Sequence, residues 1–141
     1  MESLTEDQLY KKSSHELTSL LYQSALEKLE KAMEALDRKD YGLANVLLQK
    51  CNDILYRLGA GINYEAGVMA EQLDALYNYM AEKLIQGNYN KDKKAIEEVH
   101  KLLTIIADAW KTANANGPSH KGMQLRSKTT AYERNLSYEN D

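Results

Sequence analysis

Apolar side chains recur along this chain at steps of three and four, the spacing that lines one face of an α-helix. The first stripe is Leu17, Leu21, Ala25, Leu29, Ala32 and Leu36. Ser13 with Glu16 three positions on is a capping box, so the pattern predicts a first helix from Ser13 to about Arg38. A second stripe, Ala44, Leu47, Cys51, Ile54, Leu58 and Ile62, follows Asp40, whose carboxylate predicts an N-cap. The stretch from Gly59 to Gly67 holds three glycines and predicts a break. A third helix carries Met69, Leu73, Leu76, Tyr77, Met80 and Leu84 and is expected to end near Gly87. Asp92 caps a fourth, with Ile96, Val99, Leu103, Ile106, Trp110 and Ala113 inward, and Asn116-Gly117-Pro118 stops it.

No segment alternates apolar and polar residues long enough to suggest a strand, so the chain reads as all-α. Four helices of about 20 residues on short connections favour an antiparallel up-down-up-down four-helix bundle. The expected organisation is an N-terminal arm over residues 1–12, a bundle over 13–116 and a polar, disordered tail over 117–141. The arm holds one apolar pair, Leu9 and Tyr10; the last 25 residues carry four basic and three acidic side chains.

Composition narrows the function. The 141 residues are 43% hydrophobic and 28% charged, as in a soluble globular domain. A net charge of −3 argues against a protein built to grip nucleic acid. No apolar run approaches the length of a membrane span, and the polar leader MESLTEDQLYKKSS does not read as a signal peptide. The lone Cys51 excludes an internal disulfide and fits a reducing compartment, which points to the cytosol.

Catalytic and cofactor chemistry finds no support. A diiron bundle needs two Glu-x-x-His pairs on facing helices. Glu97 and His100 supply one; His15 and His120 have Lys12 and Gly117 at the required position, so there is no second. Cys51 sits on an apolar stripe, where a small buried hydrophobe is the default. Phosphate loops, zinc spacings and nucleophile elbows are absent. The expectation is a non-enzymatic protein without cofactor or metal. Asp40-Tyr41-Gly42-Leu43-Ala44 faintly resembles a tetratricopeptide hairpin, an adaptor reading, but a solenoid needs about three copies and no second is found.

Some apolar residues fall outside the stripes. At 100° per residue, Ile105 lies roughly 120° and Leu102 roughly 60° from the centre of the fourth stripe. Val46 lies about 140° and Leu43 about 80° from the centre of the second. Leu20 and Leu26 flank the first stripe, Tyr79 and Ile85 the third. Single exposed leucines are ordinary; a contiguous patch would mark a partner site.

Longer fragments carry a family resemblance. They are Glu16-Leu17 through Leu21-Tyr22; Asn63, Glu65 and Gly67; Leu76-Tyr77-Asn78-Tyr79-Met80; and Glu98-Val99 followed by Ala109-Trp110. In this order over about residues 10–113, they resemble the FliS family of flagellin-specific export chaperones. The leader departs from the family pattern, with Ser14-His15 where a proline often stands.

The resemblance implies a four-helix bundle that binds the disordered C-terminal segment of flagellin along surface grooves. It further implies that the chaperone blocks premature polymerisation in the cytosol and presents cargo to a component of the export gate. A tyrosine-bearing arm of the family covers part of the groove when flagellin is absent, and Tyr10 is its counterpart here. Leu43, Val46, Leu102 and Ile105 are the expected cargo contacts, with Tyr10 as competing cover. Whether the free protein is a monomer or an arm-exchanged homodimer stays open, as does the role of the tail.

Overall fold

The computed structural model describes residues 6–62 and 68–115, with side chains from 14 to 62 and from 69 to 113. Four helices follow one another, α1 (Glu6–Asp37), α2 (Tyr41–Ala60), α3 (Val68–Asn90) and α4 (Lys93–Ala115). Each packs against two neighbours, in the ring α1–α2–α3–α4, so α1 faces α3 and α2 faces α4 across diagonals. Cross-helix contacts run in opposite chain senses. Asp37, Glu30 and Tyr22 of α1 meet Lys93, His100 and Trp110 of α4, and Asn45 and Asn52 of α2 meet Asn88 and Ala81 of α3. This is the antiparallel four-helix bundle that short connections favour. A closed ring buries its own core, and so needs no stacked tetratricopeptide repeat.

The two shortest links share one device. After α1, Lys39 adopts a left-handed backbone (φ 61°). The amides of Asp40 and Lys39 then donate back to the carbonyls of Ala35 and Leu36. After α3, Lys91 (φ 55°) and Asp92 repeat the pattern onto Asn88 and Gly87. Both are Schellman motifs, which satisfy the last carbonyls of a helix. In each, the aspartate that ends the motif also caps the next helix. Asp40 accepts from the Leu43 amide and Asp92 from the Lys94 amide. One Lys-Asp pair thus ends a helix, reverses the chain and starts the next.

Two boundaries differ from the sequence expectation. α1 begins at Glu6, so Ser13 lies inside the helix and cannot be its N-cap, which requires a non-helical backbone. Residues 6–12 hold no glycine or proline to oppose extension of the helix. α3 runs through Gly87 to Asn90. That glycine is a point of close approach: a Cβ there would stand 2.8 Å from Ile96 Cδ1 and 3.0 Å from Ala95 Cβ. The expected stop at residues 116–118, and the tail, lie outside the described residues.

The core is built from Leu29, Leu48, Leu55, Met80, Leu84 and Leu103, with alanines 25, 32 and 44 allowing close helix contact. Each such leucine stabilises the fold by about 2 kcal/mol through apolar burial. The Cys51 thiol is buried and faces the Ala25 carbonyl at 3.8 Å, as a weak donor. Leu17, Met69 and Leu76, expected inside, are exposed. The reason is geometric: each four-residue step overshoots a full turn by about 40°, so a stripe read as Leu29, Ala25, Leu21, Leu17 drifts out of the core. In α2, Leu48 rather than Leu47 is fully buried, and Leu47 packs at the edge.

Candidate binding surface

The apolar residues left outside the core lie on all four helices. On α4, Ile105 is 66% exposed, while Leu102 is half-buried against the core. On α2, Leu43 and Val46 are 40% and 45% exposed. Because α2 and α4 are diagonal, these two pairs do not form one patch. Tyr10 lies on α1, but its side chain falls outside the described residues.

Around Leu102 and Ile105 the seam with α3 is marked by polar contacts. The Tyr79 phenol donates to the Glu98 carboxylate, and Lys83 Nζ pairs with the same group at 3.5 Å. The hydrogen bond from Tyr79 holds the Glu98 carboxyl below its ordinary range and raises the phenol. One turn from Glu98 comes Leu102, and three residues before Tyr79 comes the exposed Leu76, so this seam is apolar beyond its charged rim. Leu17 and Leu20 add exposed apolar area on α1. Leu17 and Leu76 fit the apolar stripes of their helices, and the drift of four-residue steps is the sequence signal that places them outside.

The polar groups show where chemistry is not concentrated. His100 bonds Glu30 of α1 at 2.9 Å. Among the described residues no three metal-ligating side chains converge, and no helix is long and apolar enough to cross a membrane. A groove between α2 and α3, about 550 Å³, is lined by four amide side chains set among leucine, isoleucine and tyrosine. The run Asn45, Gln49, Asn52 on one helix face was the sequence signal for it.

Comparison with known proteins places the chain in a family. Residues 2–117 match the family model of the flagellar protein FliS. The chain belongs to the FliS family. Over 101 residues it is 39% identical to the flagellar secretion chaperone FliS of Salmonella typhimurium (strain LT2), covering 70% of this chain and 75% of that protein. Over 106 residues it is 32% identical to the flagellar secretion chaperone FliSB of Pseudomonas aeruginosa (strain PAO1), covering 74% and 84%. It is 33% identical over 98 residues to the FliS of Bacillus subtilis (strain 168), covering 70% and 73%. For a FliS-family bundle the role implied is that of a flagellar secretion chaperone, which is not an enzymatic one.

Proposed function

We propose that this chain binds the disordered C-terminal segment of flagellin in the cytosol, keeps it from polymerising and presents it to the flagellar export gate. One observation carries the reading. Apolar side chains reach the surface on diagonal helices, the exposed Leu43 and Val46 on α2 and the exposed Ile105 beside the half-buried Leu102 on α4. A single rigid helix docked in one groove touches only one pair. A long flexible segment that folds as it binds, laying short amphipathic stretches into successive grooves, touches both. Tyr10, close to the start of α1, is assigned as the residue that covers part of this surface before cargo arrives.

Ordering such a segment costs about 2–5 kcal/mol or more, so the interface has to be extensive. Calorimetric titration with the C-terminal segment of flagellin from the same organism is the test. One-to-one binding with a large negative heat-capacity change is expected. Replacing Val46 and Ile105 together by Asp should abolish it with the thermal midpoint nearly unchanged. Absence of heat and of co-elution with the unaltered protein would overturn the reading.

A further inference from the structure

The seam between α1 and α2 is basic as well as apolar. The Cys51 thiol faces the Ala25 carbonyl at 3.8 Å, which sets these antiparallel helices level at that point. At 100° per residue, Leu43, Val46, Lys50 and Arg57 share an arc of roughly 60° on α2, centred about 140° from the Asn45 and Asn52 that meet α3. They therefore stand on the α1 side. On α1, Leu17 and Lys28 lie roughly 140–160° from the Glu30 that meets α4, with Lys31 beside them. Leu17, Leu43 and Val46 are exposed, as are Lys31, Lys50 and Arg57, and Lys28 is half-buried. Among the described residues none of these four cations is ion-paired. Asp53, at the outer edge of the arc, offsets one of them.

Next to this seam α1 turns an acidic arc outward. Glu16, Glu27, Glu30 and Glu34 fall within roughly 60° of one another and are all exposed. α4 ends beside the start of that arc, because His15 packs edge-on against Trp110 with ring centres 5.2 Å apart. A chain leaving α4 and passing around α1 to α2 therefore meets acidic surface first and basic surface second. The sequence that follows α4 has the complementary order. Residues 116–131 carry Lys121, Arg126 and Lys128 and no acid. Residues 132–141 carry Glu133, Glu139 and Asp141 against Arg134, with Tyr132, Leu136 and Tyr138 among them. Reach is ample, since residues 116–131 extend to about 50 Å. Leu17 to Lys31 is about 21 Å along the axis of α1, and crossing one helix adds about 10 Å.

We propose that residues 132–141 dock in the α1–α2 seam of their own chain, with Glu133 and Glu139 among Lys28, Lys31 and Lys50 and with Tyr132 and Leu136 on Leu43 and Val46. The basic stretch from Lys121 to Lys128 crosses the acidic arc of α1 on the way. A flexible tether of this kind holds its end at an effective concentration of about 1 mM, so weak contacts suffice and the same segment of a second copy is outcompeted. Any client that uses Leu43 and Val46 has to displace the segment first. The assignment does not depend on what that client is.

A nitroxide attached at Ser137→Cys in the full nitrogen-15-labelled chain tests this, Cys51 being buried away from the reagent. The backbone amides of Lys31, Val46 and Lys50 should lose their signals to paramagnetic broadening, and those of Leu102 and Ile105 should keep most of theirs. Lys31→Glu with Lys50→Glu should abolish the broadening. Glu133→Lys with Glu139→Lys should do the same while leaving the bundle sequence intact, and combining all four changes should restore it. Broadening that neither reversal alters, or that falls equally on all four helices, overturns the proposal. So does broadening in an equal mixture of nitroxide-bearing chain at natural isotope abundance and nitrogen-15 chain without nitroxide, which would put a second copy in the seam. If no amide is broadened, the seam is open to an acidic segment from outside and the proposal falls.

Discussion

The hydroxyl oxygens of Tyr22 and Tyr77 lie 2.5 Å apart inside the bundle, joining the diagonal helices α1 and α3. Both rings are buried, and Trp110 packs against Tyr22 with ring centres 6.3 Å apart. Each phenol is the other's partner, so the pair places a polar contact inside the apolar core. Removing one hydroxyl orphans the other at about 1–3 kcal/mol, whereas removing both leaves two phenylalanines. Tyr22→Phe and Tyr77→Phe should therefore each lower stability, and the double variant should recover most of the loss. Urea unfolding of the four proteins measures the coupling; additive losses would exclude it.

Alkaline conditions should unfold this protein early. Burial pushes the Cys51 thiol up from 9.0 to about 12 and raises the phenols of Tyr22 and Tyr77 above 10.0. The folded chain then holds protons that the unfolded chain has released. Stability from these groups is fully present below pH 9 and declines as pH rises beyond it. Cys51 alone accounts for a loss of about 4 kcal/mol by pH 12. The onset near pH 9 should move toward 10 in Cys51→Ala, as read from midpoints of denaturation against pH.

Two glycines in helices should respond oppositely to alanine. Space around Gly42 is open, with no heavy atom placed to meet an added Cβ, so Gly42→Ala should gain about 0.5–1 kcal/mol from helix propensity. At Gly87 the added Cβ meets Ile96 Cδ1 and Ala95 Cβ, both buried, and the Ala95 Cβ moves only with its backbone. Gly87→Ala should lose about 1–2 kcal/mol despite the same propensity gain. Thermal unfolding of both variants gives the sign directly.

The left-handed Lys39 costs backbone strain that glycine avoids. Lys39→Gly is expected to raise stability by up to about 1 kcal/mol. Lys91→Gly should gain less, since Lys91 also sits over Tyr41 at 5.3 Å. An unchanged or lowered midpoint in Lys39→Gly would show that the lysine carries a contact of its own.

Neighbours along α4 separate core from surface. Leu103 is fully buried, and Leu103→Ala should cost about 2–5 kcal/mol. Ile105 is exposed, and Ile105→Ala should stay within about 0.5 kcal/mol. Chemical denaturation distinguishes them, and a large loss at Ile105 would place it in the core.

Local rules in the sequence determined much of this protein. Periodicity of three and four sets the number of helices. Asp40 and Asp92 cap their helices because a carboxylate beside free amides needs no tertiary partner. Fragments such as Leu76-Tyr77-Asn78-Tyr79-Met80 carry the family. The tertiary structure decided what depends on which helices are neighbours. Leu17 and Leu76 fit the stripes yet face outward, because a small angular drift accumulates with each turn and the ring admits only one inward direction. Gly87 looks like a helix end and is instead a contact point, since its role is set by Ile96 across the seam. The amide groove needs Asn52 and Asn88 on two helices, and the Tyr22–Tyr77 bond spans a diagonal. Such relationships exist only once the chain has closed its ring, because spacing along one helix fixes faces but not what stands opposite them.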